Sequence, residues 1–171
     1  VSTLGDIERC VQFLRSGSAQ PPWPTAPAAQ PDIALLHCIT ASPAPEEEYN
    51  LHLLPLLGKL FGTRVGVSDH SLHPYLVPVL AVSRGAEIIE KHITLERSGD
   101  GLDDPLALEP QDFARMVTKV RAAEEETPET IQTAIADELG FQRVEEVLGK
   151  KKKKLAASEA ASYYTTKRSI V

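Results

Sequence analysis

The chain has 171 residues, of which 42% are hydrophobic and 25% charged, and its net charge is −6 at pH 7. These values are typical of a globular protein with one sizeable core. The negative charge disfavours nucleic acid as the main partner, because phosphate binding needs a basic surface. We find neither a leader sequence nor a run of about 20 apolar residues that would span a bilayer. Two cysteines, Cys10 and Cys38, are too few for a disulfide framework, so we expect a reduced, cytoplasmic protein.

The first part of the chain predicts one helix, a loop, a strand and a second helix. Apolar residues recur at helical spacing over Leu4–Leu14, and the proline-rich segment Ser16–Gln30 predicts a loop. The continuous apolar run Asp32–Cys38 is typical of a strand buried on both faces. The leucines of Glu46–Phe61 favour a helix that ends at Gly62.

Strands and helices continue to alternate further along the chain. The predicted elements are strand Val65–Asp69, helix Pro74–Ser83, strand Ala86–His92, loop Glu96–Asp104, a helix from Pro110 and a helix over Ile131–Leu148. This alternation predicts an α/β fold whose parallel strands form an open sheet or part of a larger one. The lysine run Lys150–Lys154 is interpreted as a solvated helix end or linker in preference to a nucleic-acid site.

Polar side chains stand at the ends of two neighbouring predicted strands. Ser68 and His70 alternate on the first, and Glu90 and His92 alternate on the second. Residues two apart share one face of a strand, and adjacent parallel strands place their carboxyl ends at one edge of the sheet. That edge is where α/β folds carry their chemistry, so we expect these four groups to form a site.

Two histidines at one sheet edge are candidate metal ligands. His70 and His92 would leave positions open for substrate oxygens or water, and such a metal would act as a Lewis acid. Glu90 would bind substrate hydroxyls or move a proton, and Ser68 would donate a hydrogen bond to an anion. The alternative is that the histidines only satisfy buried backbone groups. A site is the favoured interpretation because both histidines have a polar neighbour two residues earlier.

Three other residues are weaker candidates. His37 ends the strand before the two motifs and would line the pocket or pack in the core. Asp103 lies in the polar loop after the last strand and would reach over the site. Cys38 follows His37 and should face the other way, which argues against a catalytic thiol.

Three segments resemble one family. LLHCITASPAP (Leu35–Pro45), GVSDHS (Gly66–Ser71) and IIEKHITLER (Ile88–Arg97) are similar in order and spacing to the sialic acid synthases. These include N-acetylneuraminate, legionaminate and pseudaminate synthases and spore-coat polysaccharide relatives. The resemblance implies a (β/α)8 TIM barrel followed by an antifreeze-like domain, in an enzyme that condenses phosphoenolpyruvate with an N-acetylmannosamine-type sugar.

The resemblance also implies roles for individual residues. His70 and His92 become ligands of Mn²⁺ or Mg²⁺, and Ser68 becomes a contact to phosphoenolpyruvate. Glu90 becomes a catalytic sugar contact beside the reacting centre, and Asp103 a contact to the sugar hydroxyls. The resemblance further implies a homodimer for the full-length enzyme.

One loop departs from the pattern of the family. The family motif N/S-x-Y-P-T-P corresponds here to Thr40–Pro45. Thr40 would still bind the phosphoenolpyruvate carboxylate, but Ser42 replaces the tyrosine that faces the sugar. This departure leaves the identity of the sugar open.

The resemblance predicts which portion of the family fold the chain represents. The expected fold class is α/β, as the C-terminal portion of a TIM barrel, about strands six to eight, followed by a linker. Residues 1–149 would form the partial barrel domain, and residues 150–171 a lysine-rich linker to an absent antifreeze-like domain. Two alternatives stay open: another metal-dependent barrel enzyme, such as an isomerase or hydrolase, and a non-catalytic fragment or assembly module.

Overall fold

A computed structural model describes residues 2–16, 32–161 and 163–166. The helices and strands are α1 (Leu4–Arg15), β1 (Ala34–Cys38), α2 (Leu53–Phe61), β2 (Arg64–Asp69), α3 (Leu76–Val82), β3 (Ile88–Lys91), α4 (Pro110–Ala123), α5 (Pro128–Leu139), α6 (Phe141–Leu148) and α7 (Tyr163–Thr166). Two short 3₁₀ turns lie at Glu46–Glu48 and Ala157–Glu159. The loop predicted over Ser16–Gln30 lies, after Ser16, outside the described residues. No helix in the described ranges has the length and hydrophobicity needed to cross a membrane.

The three strands form one parallel sheet in the order β1-β2-β3. Its register sets Cys38 beside Ser68 and Ser68 beside Glu90, so these three residues form one row across the sheet. Asp69 pairs with Lys91 in the next row. Because β2 is the central strand, five of its six residues are buried. The carboxyl ends of all three strands therefore meet at one edge.

Gly66 in β2 permits close packing at the centre of the sheet. A Cβ atom at this position would overlap the main-chain oxygen of Ile88 and would lie 2.7 Å from Cδ2 of Leu36. Relieving this overlap would require the backbone of β3 or the packed Leu36 side chain to move, which would disrupt the sheet. The glycine is therefore required by the approach of β1 and β3 to β2.

The first helix is closed at both ends by specific contacts. The Thr3 side chain accepts a hydrogen bond from the Asp6 main chain, and the Asp6 carboxylate accepts one from the Thr3 N–H, which together form a capping box. At the other end, the Arg15 guanidinium donates to the carbonyl oxygens of Phe61 and Gly62. These bonds join α1 to the last turn of α2.

The single helix predicted over Glu46–Phe61 is wrong. The segment forms a 3₁₀ turn at Glu46–Glu48, and the helix starts only at Leu53. Asn50 between them has a positive φ of 50°. The N–H groups of Leu51 and His52 donate to carbonyl oxygens at the end of α6 instead of bonding within a helix. This tertiary pairing breaks the helical run that the leucine spacing suggested.

The single helix predicted over Ile131–Leu148 is also wrong. It is split into α5 and α6 at Gly140, whose φ is 101°, a conformation that favours glycine. Both helices turn apolar side chains into the core, among them Ile135 and Val147. The core is therefore built from the inner faces of α2–α6 and the sheet, with α3 almost wholly buried in it.

Candidate active site

His70 and His92 lie side by side at the carboxyl edge of the sheet. Each directly follows the last residue of its strand, Asp69 in β2 and Lys91 in β3. Their ring centroids are 5.0 Å apart and the rings are tilted by 53°. The structure thus brings together the two imidazoles that the sequence singled out.

Ser68 and Glu90 join the same cluster. They are register partners in β2 and β3, and the Ser68 hydroxyl donates to the Glu90 carboxylate at 2.5 Å. Ser68 is buried, whereas Glu90 is exposed. The serine therefore orients a carboxylate that remains accessible to a ligand.

The surroundings of His70 favour its neutral form. Burial lowers its pKa from the ordinary value of 6.5, and the positive charge that His92 would carry lowers it further. Its Nδ1 atom lies 3.6 Å from the Cys38 sulfur. The expectation that Cys38 faces away from these residues is wrong, because it shares the row of Ser68 and Glu90. Burial raises the pKa of its thiol, which disfavours the nucleophilic thiolate on a different ground. A neutral imidazole is the form that binds a metal.

Asp103 lies over the exposed side of His92. Its carboxylate is 3.6 Å from His92 Nδ1, and it is 65% exposed. The loop is held locally because Asp104 accepts hydrogen bonds from the Thr94 hydroxyl and the Gly101 N–H. The residue is thus placed at the rim of the cluster, where a polyhydroxylated ligand could meet it.

The loop after β1 has a neighbour that the sequence did not suggest. Both the N–H and the hydroxyl of Thr40 donate to the carboxylate of Glu159, which is 1% exposed. Ser42 is exposed in the same loop. Thr40 can therefore bind a substrate carboxylate only if Glu159 withdraws. No spacing rule links two residues so far apart.

A buried ion pair was also missed. Lys91 Nζ lies 2.8 Å from Asp69 Oδ2, and both side chains are at most 1% exposed. The signal was present in the sequence, because Asp69 and Lys91 alternate with the four residues chosen above. The two residues lie on the face of each strand opposite to that of the histidines.

His37 packs in the core. It is 5% exposed, and its Nε2 donates to the main-chain oxygen of Tyr49 at 2.5 Å. Burial, more than any other cause, lowers its pKa from 6.5 to about 4. The sequence left open whether His37 lines the pocket or packs in the core, and the structure shows that it packs in the core.

The donor set limits what metal site the chain can supply. Within the described ranges, no three His, Cys, Asp or Glu side chains form a cluster able to hold a metal ion. Two imidazoles with centroids 5.0 Å apart fit an open site in which substrate oxygens or water complete the coordination. The residues present therefore fit a substrate-assisted metal site, and they do not fit a closed structural one.

Comparisons with known proteins point to one family. The model of the NeuB family matches residues 1–132. The chain is 33% identical over 138 residues to N,N'-diacetyllegionaminic acid synthase of Campylobacter jejuni, covering 81% of this chain and 38% of that protein. It is 42% identical over 94 residues to pseudaminic acid synthase of the same species, covering 55% and 27%. The crystal structure of the spore coat polysaccharide biosynthesis protein SpsE of Bacillus subtilis superposes with a TM-score of 0.72 at 30% identity, covering 95% of this chain and 40% of that one.

The family match corrects the expected fold class. The expectation that the chain is a C-terminal portion of the barrel, about strands six to eight, is wrong. The match occupies residues 1–132, so the TIM-barrel portion is N-terminal in this chain, and all three parallel strands lie within it. The physical reason for the error is that successive βα units of a barrel are locally alike. The order of the motifs alone therefore does not show which βα units of the barrel the chain contains.

Proposed function

Because this chain belongs to the NeuB family, we propose that the protein carrying it condenses phosphoenolpyruvate with an N-acetylmannosamine-type sugar in a metal-dependent reaction. The chain spans at most 40% of the length of the relatives described above, so the activity is proposed for the whole protein. The single observation that carries the proposal is the cluster of His70, His92, Ser68 and Glu90 at one edge of the sheet.

The reaction makes one carbon–carbon bond and releases phosphate. C3 of phosphoenolpyruvate bonds to the aldehyde carbon of the open-chain sugar, and the aldehyde oxygen takes a proton to become a hydroxyl. Water adds at C2, and the C2–O bond to phosphate breaks to leave a 2-keto acid. The products are a nonulosonic acid and inorganic phosphate.

The two histidines are assigned to the metal ion. His70 and His92 would hold Mn²⁺ or Mg²⁺ through neutral imidazole nitrogens, and the lowered pKa of His70 keeps that ring neutral at pH 7. When bound, the ion supplies Lewis-acid polarisation of the aldehyde. Both residues are partly exposed, so a metal ion can reach the two rings from solvent.

The remaining polar groups bind and orient the substrates. Glu90, held by Ser68, would hydrogen-bond the sugar beside the reacting carbon or hold a proton there. The Ser68 hydroxyl would turn from Glu90 to an oxygen of phosphoenolpyruvate when that anion binds. Asp103 at the rim would accept hydrogen bonds from sugar hydroxyls, and the exposed Ser42 would offer its hydroxyl to the same sugar. Thr40 is assigned to the phosphoenolpyruvate carboxylate after Glu159 withdraws.

The test follows phosphate release from phosphoenolpyruvate with Mn²⁺ in the purified protein, with and without N-acetylmannosamine. We expect sugar-dependent release that falls by at least about 100-fold in His70→Ala and in His92→Ala. His73→Asn is the matched control, because His73 Nδ1 accepts the Leu76 N–H at the start of α3 and asparagine keeps an acceptor there. No release with any N-acetyl amino sugar, together with no Mn²⁺ binding, would overturn the proposal in favour of a non-catalytic module.

A further inference from the structure

Behind the histidines, on the other face of the strands, lies the ion pair of Asp69 and Lys91. Asp69 directly precedes His70, and Lys91 directly precedes His92. The Nζ–Oδ2 distance is 2.8 Å, and the two side chains are 0–1% exposed. The pair thus joins the two strands at the residues that immediately precede the rings.

The same pair also binds the backbone of Ser71, the residue that directly follows His70. The Asp69 carboxylate accepts the Ser71 N–H at 2.8 Å, and Lys91 Nζ donates to the Ser71 carbonyl oxygen at 2.5 Å. The His70 N–H donates to the Tyr49 hydroxyl at 2.7 Å. Three tethers therefore fix one short backbone segment, although His70 itself lies outside the regular strand.

Stability alone is a poor explanation for this arrangement. Burying two charges costs desolvation energy that their attraction often only offsets, and an apolar pair of similar volume commonly serves as well. What an ion pair adds is a defined geometry. A ligand pair that must converge on one ion needs its rings held to within about 0.5 Å.

We propose that the Asp69–Lys91 pair is a positioning element that sets the spacing of the His70 and His92 rings and thereby the affinity of the site for a divalent metal ion. This inference rests on the proposed function, which assigns the two histidines to the metal. Asp69 and Lys91 touch neither ion nor substrate. They act through the strand ends that carry the ligands.

The experiment measures Mn²⁺ affinity by electron paramagnetic resonance on the whole chain. Removing one charge alone would leave its partner buried and unpaired, so the test variant is the double substitution Asp69→Leu/Lys91→Met. We expect it to fold and to bind Mn²⁺ about 10- to 100-fold more weakly, the range seen when partners that orient metal ligands are removed. Ile135→Val in α5 is the control, because it removes a methylene group from the core away from the strand ends.

The outcomes separate this inference from the function on which it rests. If the wild-type chain binds Mn²⁺ and the double variant binds it equally well, the positioning role is refuted and the function stands. If the wild-type chain binds no Mn²⁺, the positioning role is refuted, and sugar-dependent phosphate release decides the proposed function separately. A merely structural role would lower the melting temperature of the double variant and of Ile135→Val while leaving the Mn²⁺ affinity unchanged in both.

A second variant and a metal-free measurement cover the case in which the double variant does not fold. Tyr49→Phe keeps the buried ring and removes the hydroxyl that accepts the His70 N–H and also bonds the Asp69 carboxylate. We expect a several-fold loss of Mn²⁺ affinity, and unchanged affinity would count against the tethering of this segment. In the metal-free wild type, nuclear Overhauser effects between the ring protons of His70 and His92 should be strong. In metal-free Tyr49→Phe, the same effects should be weaker.

Discussion

Thr40 and Glu159 lie 119 residues apart in the chain and share two hydrogen bonds. The Thr40 N–H and hydroxyl donate to one oxygen of the carboxylate at 2.9 and 3.0 Å. The other oxygen accepts the Ala156 N–H at 3.3 Å. Because Glu159 is almost wholly buried, this carboxylate fastens the segment after α6 to the loop that follows β1.

Replacement of Glu159 by alanine should destabilise the fold. Burial disfavours the charge of Glu159, but its hydrogen bonds, first the one from the Thr40 N–H, hold the net pKa below the ordinary value of 4.5. The side chain is therefore ionised at pH 7, and we expect Glu159→Ala to lower the free energy of unfolding by about 2 kcal/mol in urea titrations. Because the pKa of Glu159 is lower in the folded than in the unfolded chain, its ionised form stabilises the fold at pH values above 4.5. The difference in unfolding free energy between wild type and Glu159→Ala should therefore shrink as the pH falls below 4.5.

The control for this prediction is Glu125→Ala, at an exposed position after α4. It removes the same charge from the chain without removing a buried contact, so the free energy of unfolding should change by less than about 0.5 kcal/mol. Equal effects of the two substitutions would show that the contact between Glu159 and Thr40 contributes nothing to stability.

The strand ends could be predicted from the sequence, because alternation along a strand is a local rule. Ser68 and His70 on one strand and Glu90 and His92 on the next met at one edge, as parallel pairing requires. The break between α5 and α6 is also local, because it lies at Gly140, a residue type that commonly ends helices. Such features depend on a few neighbouring residues and leave a visible pattern.

The remaining contacts could not be predicted, because they depend on tertiary pairing. Glu159 is the only acidic residue after Glu146, but nothing near it in sequence indicates that it reaches Thr40. Likewise, the helix expected from Glu46 is interrupted where Leu51 and His52 bond to the end of α6. Long-range partners that replace local hydrogen bonds have no periodicity from which to infer them.

Gly66 should tolerate no side chain. An alanine Cβ would overlap the Ile88 oxygen and crowd Leu36, so β1 or β3 would have to move away from β2. We expect Gly66→Ala to lower the free energy of unfolding by about 3 kcal/mol or more, or to prevent folding. The matched control is Gly5→Ala in α1, where the atom nearest to the new Cβ is Thr3 Oγ1 at 3.9 Å and alanine is the better helix former. A stable Gly66→Ala chain with wild-type unfolding in urea would contradict the packing of the sheet.

The buried ring of His37 should make stability depend on pH below neutrality. Burial, the largest cause, lowers its pKa to about 4, whereas the unfolded chain takes up this proton near 6.5. Between these values the unfolded state binds more protons, so the free energy of unfolding should fall as the pH drops from 6.5 to 4, by about 3 kcal/mol from this residue. Urea titrations across that range should show a shallower fall in His37→Gln, which keeps a donor for the Tyr49 oxygen and cannot titrate. Identical pH dependence in the two chains, or a His37 ring that titrates near 6.5 by nuclear magnetic resonance, would contradict its burial as a neutral donor.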